Sequence, residues 1–165
     1  MVYIGTLSGD GKQLLATRRL TLEDSADSPC SWTPDSKAVL FMSDRNGTPE
    51  IFNQAIDESL AESVVTGPDQ LTQPRVSPDG SEILYISTPR VASPETLSAI
   101  FAIPIRGGAP RLVLKDVDIW NVQCARLPST VCLYSINQGR QMKTFRFDVR
   151  NGQITDLQQL ELRGN

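Results

Sequence analysis

The chain repeats itself, and this internal repeat limits most strongly how it can fold. Residues 32–43 are matched by residues 76–87, which begin 44 positions later. Each copy opens with a Pro-Asp turn, completed by Ser36 or Gly80, and continues into a short run of aliphatic, β-branched and aromatic residues. Proline presets φ and aspartate hydrogen-bonds the backbone ahead of it, so the turn leads into a strand. The sequence therefore predicts β-hairpins repeated along the chain.

A second strand-like element recurs four times and carries an aromatic residue at the same place in each copy. The aromatic positions are 49, 49 and 44 residues apart, at Tyr3, Phe52, Phe101 and Phe145. A turn and a further strand-like run follow each copy, so every unit holds four short strands. Residues 124–128 match residues 30–34 and supply a third, degraded copy of the first element. Because the aromatics occupy equivalent places, we expect them in a core between stacked units.

Four short strands every 44 to 49 residues is the period of a propeller blade. We predict one all-β domain over residues 1–165, a partial β-propeller of about three and a half four-stranded antiparallel blades. Blade 1 keeps only its outer strands within 2–21, and the other blades cover 27–67, 70–115 and 117–162. We expect apolar, uncovered flanks on blades 1 and 4, and hence association of chains to complete a ring.

Two groups of residues resemble a known repeat. Residues 77–80 (Ser-Pro-Asp-Gly) with 84–87, and residues 43–47 with Ile51 and Phe52, are similar to the repeat of TolB-like, WD-like propellers. Residues 18–21 followed by 32–36 also look like repeats appended to bacterial regulatory proteins and kinases. The resemblance implies a binding scaffold. Blade 4 departs from the pattern, because residues 127–130 (Leu-Pro-Ser-Thr) replace the Ser-Pro-Asp-Gly turn.

Composition disfavours several classes of function. Histidine is absent, which removes the usual general base, the commonest zinc ligand and the centre of a Ser-His-Asp triad. We therefore predict no enzyme activity, no cofactor and no metal site. The net charge of −3 and the scattered arginines argue against nucleic acid. No run approaches the ~20 apolar residues of a membrane helix, so membrane insertion is not expected.

The loops that gather on one face of a propeller are the first candidates for binding. They join the second and third strands of each blade, or one blade to the next. The candidate binding residues there are Asp44, Arg45, Asn46, Arg90, Asn137 and Gln138. Asp44 and Arg45 have a structural interpretation too, in which they brace their own loop or a neighbouring blade.

Cys124 and Cys132 stand at the two ends of a predicted hairpin and are candidates for a disulfide. The alternative is two reduced, buried cysteines, because Cys30 occupies the repeat position of Cys124 with no partner nearby. The cellular compartment depends on which of these two alternatives holds. A bridge would favour the periplasm or another oxidising compartment over the cytoplasm.

The functional hypothesis is a non-catalytic scaffold that binds a protein partner. One alternative is the propeller domain of a larger enzyme, such as a serine peptidase, in which the propeller gates the site or binds substrate. Another is a propeller that holds a small molecule or a sugar in its central channel. A Gly-x-Ser-x-Gly motif in flanking sequence would separate the peptidase from the scaffold.

Overall fold

The computed structural model describes residues 1–91, 93, 96–139 and 141–156, and within them it is all-β, with 14 strands and no helix. The strands of the first two sheets are β1 (Tyr3–Leu7), β2 (Leu14–Arg19), β3 (Ser28–Trp32), β4 (Ala38–Ser43), β5 (Glu50–Ala55) and β6 (Glu62–Val65). Those of the last two are β7 (Gln70–Val76), β8 (Glu82–Thr88), β9 (Leu97–Pro104), β10 (Arg111–Val117), β11 (Ile119–Cys124), β12 (Cys132–Gln138), β13 (Gln141–Phe147) and β14 (Ile154–Asp156).

The strands form one two-stranded and three four-stranded sheets, each in sequence order and antiparallel. Blade 1 is β1 and β2, blade 2 is β3 to β6, blade 3 is β7 to β10 and blade 4 is β11 to β14. The predicted fold class, a partial β-propeller with an incomplete first blade, is confirmed. Residues 157–162 of the predicted fourth blade lie outside the described residues.

The Pro-Asp turns work as the sequence indicated. In blade 3 the Ser77 hydroxyl donates a hydrogen bond to Asp79 at 2.7 Å, and the Ser81 amide donates to the same carboxylate at 3.1 Å. Gly80 closes the turn with φ of 76°, in the left-handed region that glycine adopts without strain. Blade 2 uses Ser36 at the same place with φ of 59°. Each turn thereby fixes the register of the two strands that it joins.

Side chains alternate along each strand, so each blade has one face toward the preceding blade and one toward the next. Val2 and Leu20 of blade 1 pack with Val39, Phe41 and Phe52 of blade 2. The core between blades 2 and 3 contains Leu40, Ile51, Leu71, Ile83, Tyr85 and Ile103. The largest core joins blades 3 and 4, and includes Leu84, Ile86, Ile100, Val122, Tyr134 and Phe147.

Aromatic pairs are a fixed part of each complete blade. The second-strand aromatic stacks on the third-strand aromatic opposite it, with ring centroids 5.8 Å apart for Phe41 and Phe52 and 5.1 Å apart for Tyr134 and Phe145. Tyr85 and Phe101 do the same in blade 3 at 5.8 Å. Each pair lies on the face toward the preceding blade.

Tyr3 corrects one expectation from the sequence. It occupies the third-strand position in blade 1 but is 60% exposed instead of lying in a core. Two causes act together: no second strand carries an aromatic opposite it, and no described residues pack on that face of blade 1. Equivalence in the repeat therefore predicted the strand correctly but not the burial of its side chain.

The far face of blade 4 corrects a second expectation, since it is largely polar. The cross-strand pairs Leu133 with Arg146, Ser135 with Thr144, and Asn137 with Met142 project from this face. Ser135 and Thr144 also hydrogen-bond to each other at 3.0 Å. The flank of blade 1 is the more apolar of the two, with exposed Tyr3, Leu7 and Leu14, although Arg19 and Thr17 lie on the same face.

Candidate functional site

Most of the predicted loop residues brace the loop face, meaning the side of the array that holds the β4–β5, β8–β9 and β12–β13 loops and the connectors between blades. Asp44 accepts a hydrogen bond from the Ala26 amide at 2.8 Å, which ties its loop to the connector from blade 1. Asn46 donates to the Glu50 carboxylate at 2.8 Å. Arg90 donates to the hydroxyl of Thr48. Each of these three exposed side chains therefore makes a hydrogen bond within the chain.

Arg45 is the most strongly held of the predicted residues. Its guanidinium lies 3.3 Å from Glu23 and 3.4 Å from Asp27, and its Cζ lies 4.5 Å from the centre of the Phe52 ring. The side chain is only 12% exposed. Cation–π contact and two carboxylates thus fix Arg45 across blades 1 and 2. The bracing interpretation describes its geometry.

Asp27 is the buried carboxylate of this cluster. Burial opposes its ionisation, but hydrogen bonds from Ser43, Ser25 and Thr21 and the charge of Arg45 outweigh burial and lower the pKa of its carboxyl. The Ser25 hydroxyl donates to it at 2.7 Å. The cluster is therefore charged and paired at neutral pH, as a structural ion pair requires.

Asn137 and Gln138 are exposed at the end of β12, and no hydrogen bond joins their side chains to the described residues. They line a cavity of about 440 Å³ with Thr88, Ser98 and Asp118. The structure thus brings Asp44, Arg45 and Asn46 together in one braced loop. It places Asn137 and Gln138 on another part of the loop face.

A larger cavity, here called the inner groove, follows the first strands of blades 2, 3 and 4. It has a volume of about 590 Å³ and is open to solvent. Its lining includes Cys30 and Trp32 from the end of β3, Arg75 from β7, and Gln123, Arg126 and Leu127 at and beyond the end of β11. The first strands are the innermost strands of the array, so this groove lies along its central side.

Two arginines give the inner groove its charge. Arg75 is held in place by hydrogen bonds to Gln123 at 3.3 Å, Gln73 at 2.9 Å and the carbonyl of Pro74 at 2.9 Å. The guanidinium of Arg126 has no hydrogen bond or ion pair to the described residues, and the neighbouring Leu127 is 61% exposed. A cation and an apolar side chain are thus presented side by side.

Arg126 and Leu127 were not among the predicted site residues. The sequence does mark Arg126 as unusual, because it occupies the repeat position of Trp32 and Val76, where the other copies have an apolar residue. A charge that replaces an apolar residue in a repeat indicates either solvent or a ligand at that place. The alignment alone does not show that the position opens into a groove.

Asp79 forms the acidic rim of the inner groove. Hydrogen bonds from Ser77 and Ser81 lower the pKa of its carboxyl to about 2. It is therefore ionised at neutral pH and its bonds go to its own turn. An acid of this kind stabilises a turn and does not donate protons near pH 7.

Cys124 and Cys132 are joined by a disulfide, with Cα atoms 4.2 Å apart, between directly paired positions of β11 and β12. The repeat alignment suggested this pair from the ends of the hairpin. The bridge closes the blade that has lost the Pro-Asp-Gly turn. Cys30, at the equivalent position of blade 2, is a free cysteine.

Two further properties concern the described part of the chain. No helix in it has the length and apolar character needed to cross a membrane. No group of three or more histidine, cysteine, aspartate or glutamate side chains within it is placed to hold a metal ion.

The stacked four-stranded sheets and the groove along their first strands define a partial β-propeller. The chain belongs to the TolB β-propeller family, because the family model for the TolB beta propeller domain matches residues 3–99. No curated protein matches the chain. The assignment to this family therefore rests on the match to the family model.

Solved structures share this fold at low sequence identity. A putative TolB from Agrobacterium tumefaciens has a TM-score of 0.72 at 15% identity over 85% of this chain and 51% of its own. TolB from Acinetobacter baumannii has a TM-score of 0.69 at 17% identity over 87% of this chain and 35% of its own. An oligogalacturonate lyase in complex with manganese has a TM-score of 0.69 at 13% identity over 94% of this chain and 41% of its own. The chain thus spans about half or less of each protein, and the likeness is one of fold.

Proposed function

We propose that this chain is a non-catalytic propeller module that binds a protein partner through the inner groove. The observation that carries the proposal is the pairing of Arg126, whose guanidinium has no partner among the described residues, with the exposed Leu127. Arginine beside apolar surface is typical of the residues that dominate protein interfaces. Asp44, Arg45, Asn46 and Arg90 of the loop face each make a hydrogen bond or an ion pair within the chain.

The chemistry of the groove favours an extended segment that carries a carboxylate next to an apolar side chain. Arg75 is preorganised by three hydrogen bonds, so little side-chain entropy remains to be lost on binding. Arg126 offers a bidentate donor to a carboxylate. A cavity of about 590 Å³ accommodates a few side chains rather than a folded domain.

The fold alone does not decide between a scaffold and an enzyme, because the same architecture occurs in proteins named TolB and in a lyase. The sequence of this chain has no histidine, and Asp79 at the rim of the groove is held ionised by its own turn. Neither feature suits general acid–base chemistry at neutral pH. Both support the non-catalytic proposal.

We further infer that the protein works in an oxidising compartment such as the periplasm. The support is the Cys124–Cys132 disulfide, since bridges of this kind persist in secreted and periplasmic proteins and are rare in the cytoplasm.

The binding proposal is tested by site-specific photocrosslinking. A photoreactive amino acid at Leu127 is compared with one at Gln138 on the loop face, and the captured protein is identified, purified and titrated against this chain. Arg126→Glu is expected to weaken binding at least about tenfold, as for an interface arginine. Arg106→Glu makes the same change of charge on an exposed turn that does not line the groove, and it should bind like the wild type.

Three results would contradict the proposal. Arg126→Glu could bind as tightly as the wild type, or Gln138 could crosslink the partner as strongly as Leu127. The purified chain could also turn over a peptide or sugar substrate.

A further inference from the structure

The Cys124–Cys132 bridge lies at the base of the segment that carries Arg126 and Leu127. This segment, residues 125–131, joins β11 to β12 and is here called the bridged loop. Both Arg126 and Leu127 line the inner groove. The bridge therefore ties together the two ends of the segment on which binding in the groove depends.

The first strand of blade 4 ends two repeat positions earlier than the first strands of blades 2 and 3. β3 runs to Trp32 and β7 runs to Val76, and both residues pair with the second strand of their blade. Arg126 is their equivalent, but the pairing of β11 with β12 ends at the two cysteines. The place of Arg126 thus depends on how the bridged loop is anchored.

The hydrogen bonds that lock the turns of blades 2 and 3 have no counterpart in the bridged loop. In blade 3 the Ser77 hydroxyl donates to Asp79 at 2.7 Å and accepts the Glu82 amide at 3.0 Å. Blade 2 has the same arrangement with a threonine. Leu127 occupies the position of Ser77, and Ser129 that of Asp79. Because the leucine side chain has no donor or acceptor, this lock cannot form.

Three local hydrogen bonds remain within the bridged loop. The Ala125 amide donates to the Val131 carbonyl at 2.9 Å, and the Ser129 amide donates to the Arg126 carbonyl at 3.1 Å. The Val131 amide donates to the Ser129 hydroxyl at 3.3 Å. The covalent bridge is therefore the strongest constraint on the loop, because it keeps the two ends together even when these bonds open.

The groove gives access to one sulfur of the bridge. Cys124 is partly exposed and lines the inner groove, whereas Cys132 is fully buried. A thiolate that enters the groove bonds to the sulfur of Cys124, and Cys132 leaves as a thiolate that takes up a proton. A second thiol then displaces the first from Cys124. The bridge gains two electrons and becomes two thiols, and the two attacking thiols become a disulfide.

We propose that the Cys124–Cys132 bridge is a redox switch for the inner groove, opened by a dithiol reductant. The intact bridge holds Arg126 and Leu127 ready to bind, and reduction releases the loop, so both side chains must be ordered on binding and the affinity falls. The inference rests on the proposed function for what the groove binds. The effect of the bridge on the loop is a property of the free protein.

The first experiment compares hydrogen exchange in the oxidised protein and in the protein reduced with dithiothreitol. Both carry Cys30→Ala, so that no other thiol reacts. The Ala125 and Ser129 amides should exchange at least about tenfold faster after reduction, because the loop opens more readily without the bridge. The Ser77 amide, which donates to Glu82 in the unbridged turn of blade 3, should be unchanged. Equal exchange of the Ala125 amide in both forms would overturn the proposal.

The second experiment measures binding in the two redox states. The probe is the protein captured through Leu127, purified and titrated against the oxidised and the reduced chain. Affinity should fall at least about tenfold on reduction, and the double variant Cys124→Ala and Cys132→Ala should bind as weakly without reductant. Val122→Ala removes buried atoms from β11 but keeps the bridge, so it controls for a loss of stability alone. It should bind like the wild type.

The results distinguish failure of the switch from failure of the proposed function. Equal affinity in both redox states would overturn the switch and leave the groove as the binding site. The switch is also overturned if Val122→Ala weakens binding as much as reduction does, because the effect is then one of stability. If no protein is captured through Leu127, the proposed function fails, and the switch has no binding to regulate.

Discussion

The two ends of the array differ in chemistry, although both are built from the same repeat. The outward face of blade 1 exposes Tyr3, Leu7 and Leu14. The outward face of blade 4 carries Ser135 and Thr144, where the equivalent residues of blade 3 are the buried Ile86 and Ile100. Two aliphatic positions of the repeat are thus polar in the last blade.

This contrast teaches that the repeat specifies the strands, while the neighbour of each face decides its side chains. In stacked repeats a polar outer face belongs to a capping unit, and an apolar one needs a cover. The described far face of blade 4 is largely polar, whereas that of blade 1 is more apolar. Association of two copies to complete a ring stays a prediction, but the face of blade 4 offers it little apolar area.

The largest expected effect is on the free energy of unfolding, when the same repeat position is changed inside the array and at its end. Phe52 is buried between blades 1 and 2, whereas Tyr3 is exposed on blade 1. Phe52→Ala should lower the free energy of unfolding by about 3 to 5 kcal/mol, because it leaves a cavity. Tyr3→Ala should change it by about 1 kcal/mol or less. Urea titrations of both variants measure the difference, and equal losses would show that the end of blade 1 is covered in solution.

The disulfide is a second difference between the two ends of the array, since it stabilises only blade 4, at the polar end. The double variant Cys124→Ala and Cys132→Ala should lose about 2 to 3 kcal/mol, the chain-entropy value for a loop of about nine residues. Hydrogen exchange should rise mainly in β11 and β12. Cys30→Ala, at the equivalent position of blade 2, removes no bridge and serves as the control. Three reactive thiols per chain in denaturant without reductant would show that the bridge does not form.

The smallest expected effect lies in the turn of blade 3, between the two ends. The pKa of Asp79 is lowered to about 2 from 3.8, so its carboxylate stabilises the folded state above pH 3.8, and this contribution is lost as the pH falls toward 2. The side chain is largely exposed, so the contribution should be less than about 1 kcal/mol. Asp79→Asn should flatten the acid limb of the stability profile in that range. An unchanged profile would assign acid sensitivity to other groups, Asp27 first.

The fold was predictable because the aromatic strand recurs in all four blades, and the Pro-Asp turn in blades 2 and 3, at a readable spacing. The site was less predictable. Polar loop residues such as Asp44 and Asn46 look free in a sequence, and only the folded structure reveals the Ala26 amide and the Glu50 carboxylate that bind them. Arg126 could have been noticed as a charge at an apolar position of the repeat. Its exposure depends on the relative placement of β7 and β11, which local pattern does not report.

The orientation of the aromatic pairs bears on how the protein is made. Every complete blade turns its pair toward the preceding blade, so Phe41 and Phe52 meet blade 1, and Tyr85 and Phe101 meet blade 2. A ribosome releases the chain from its N-terminal end, and units fold as they emerge. Each new blade therefore finds the surface that buries its largest rings already in place. Assembly from the C-terminal end would leave each pair exposed until the next unit formed, so vectorial synthesis protects these rings from aggregation.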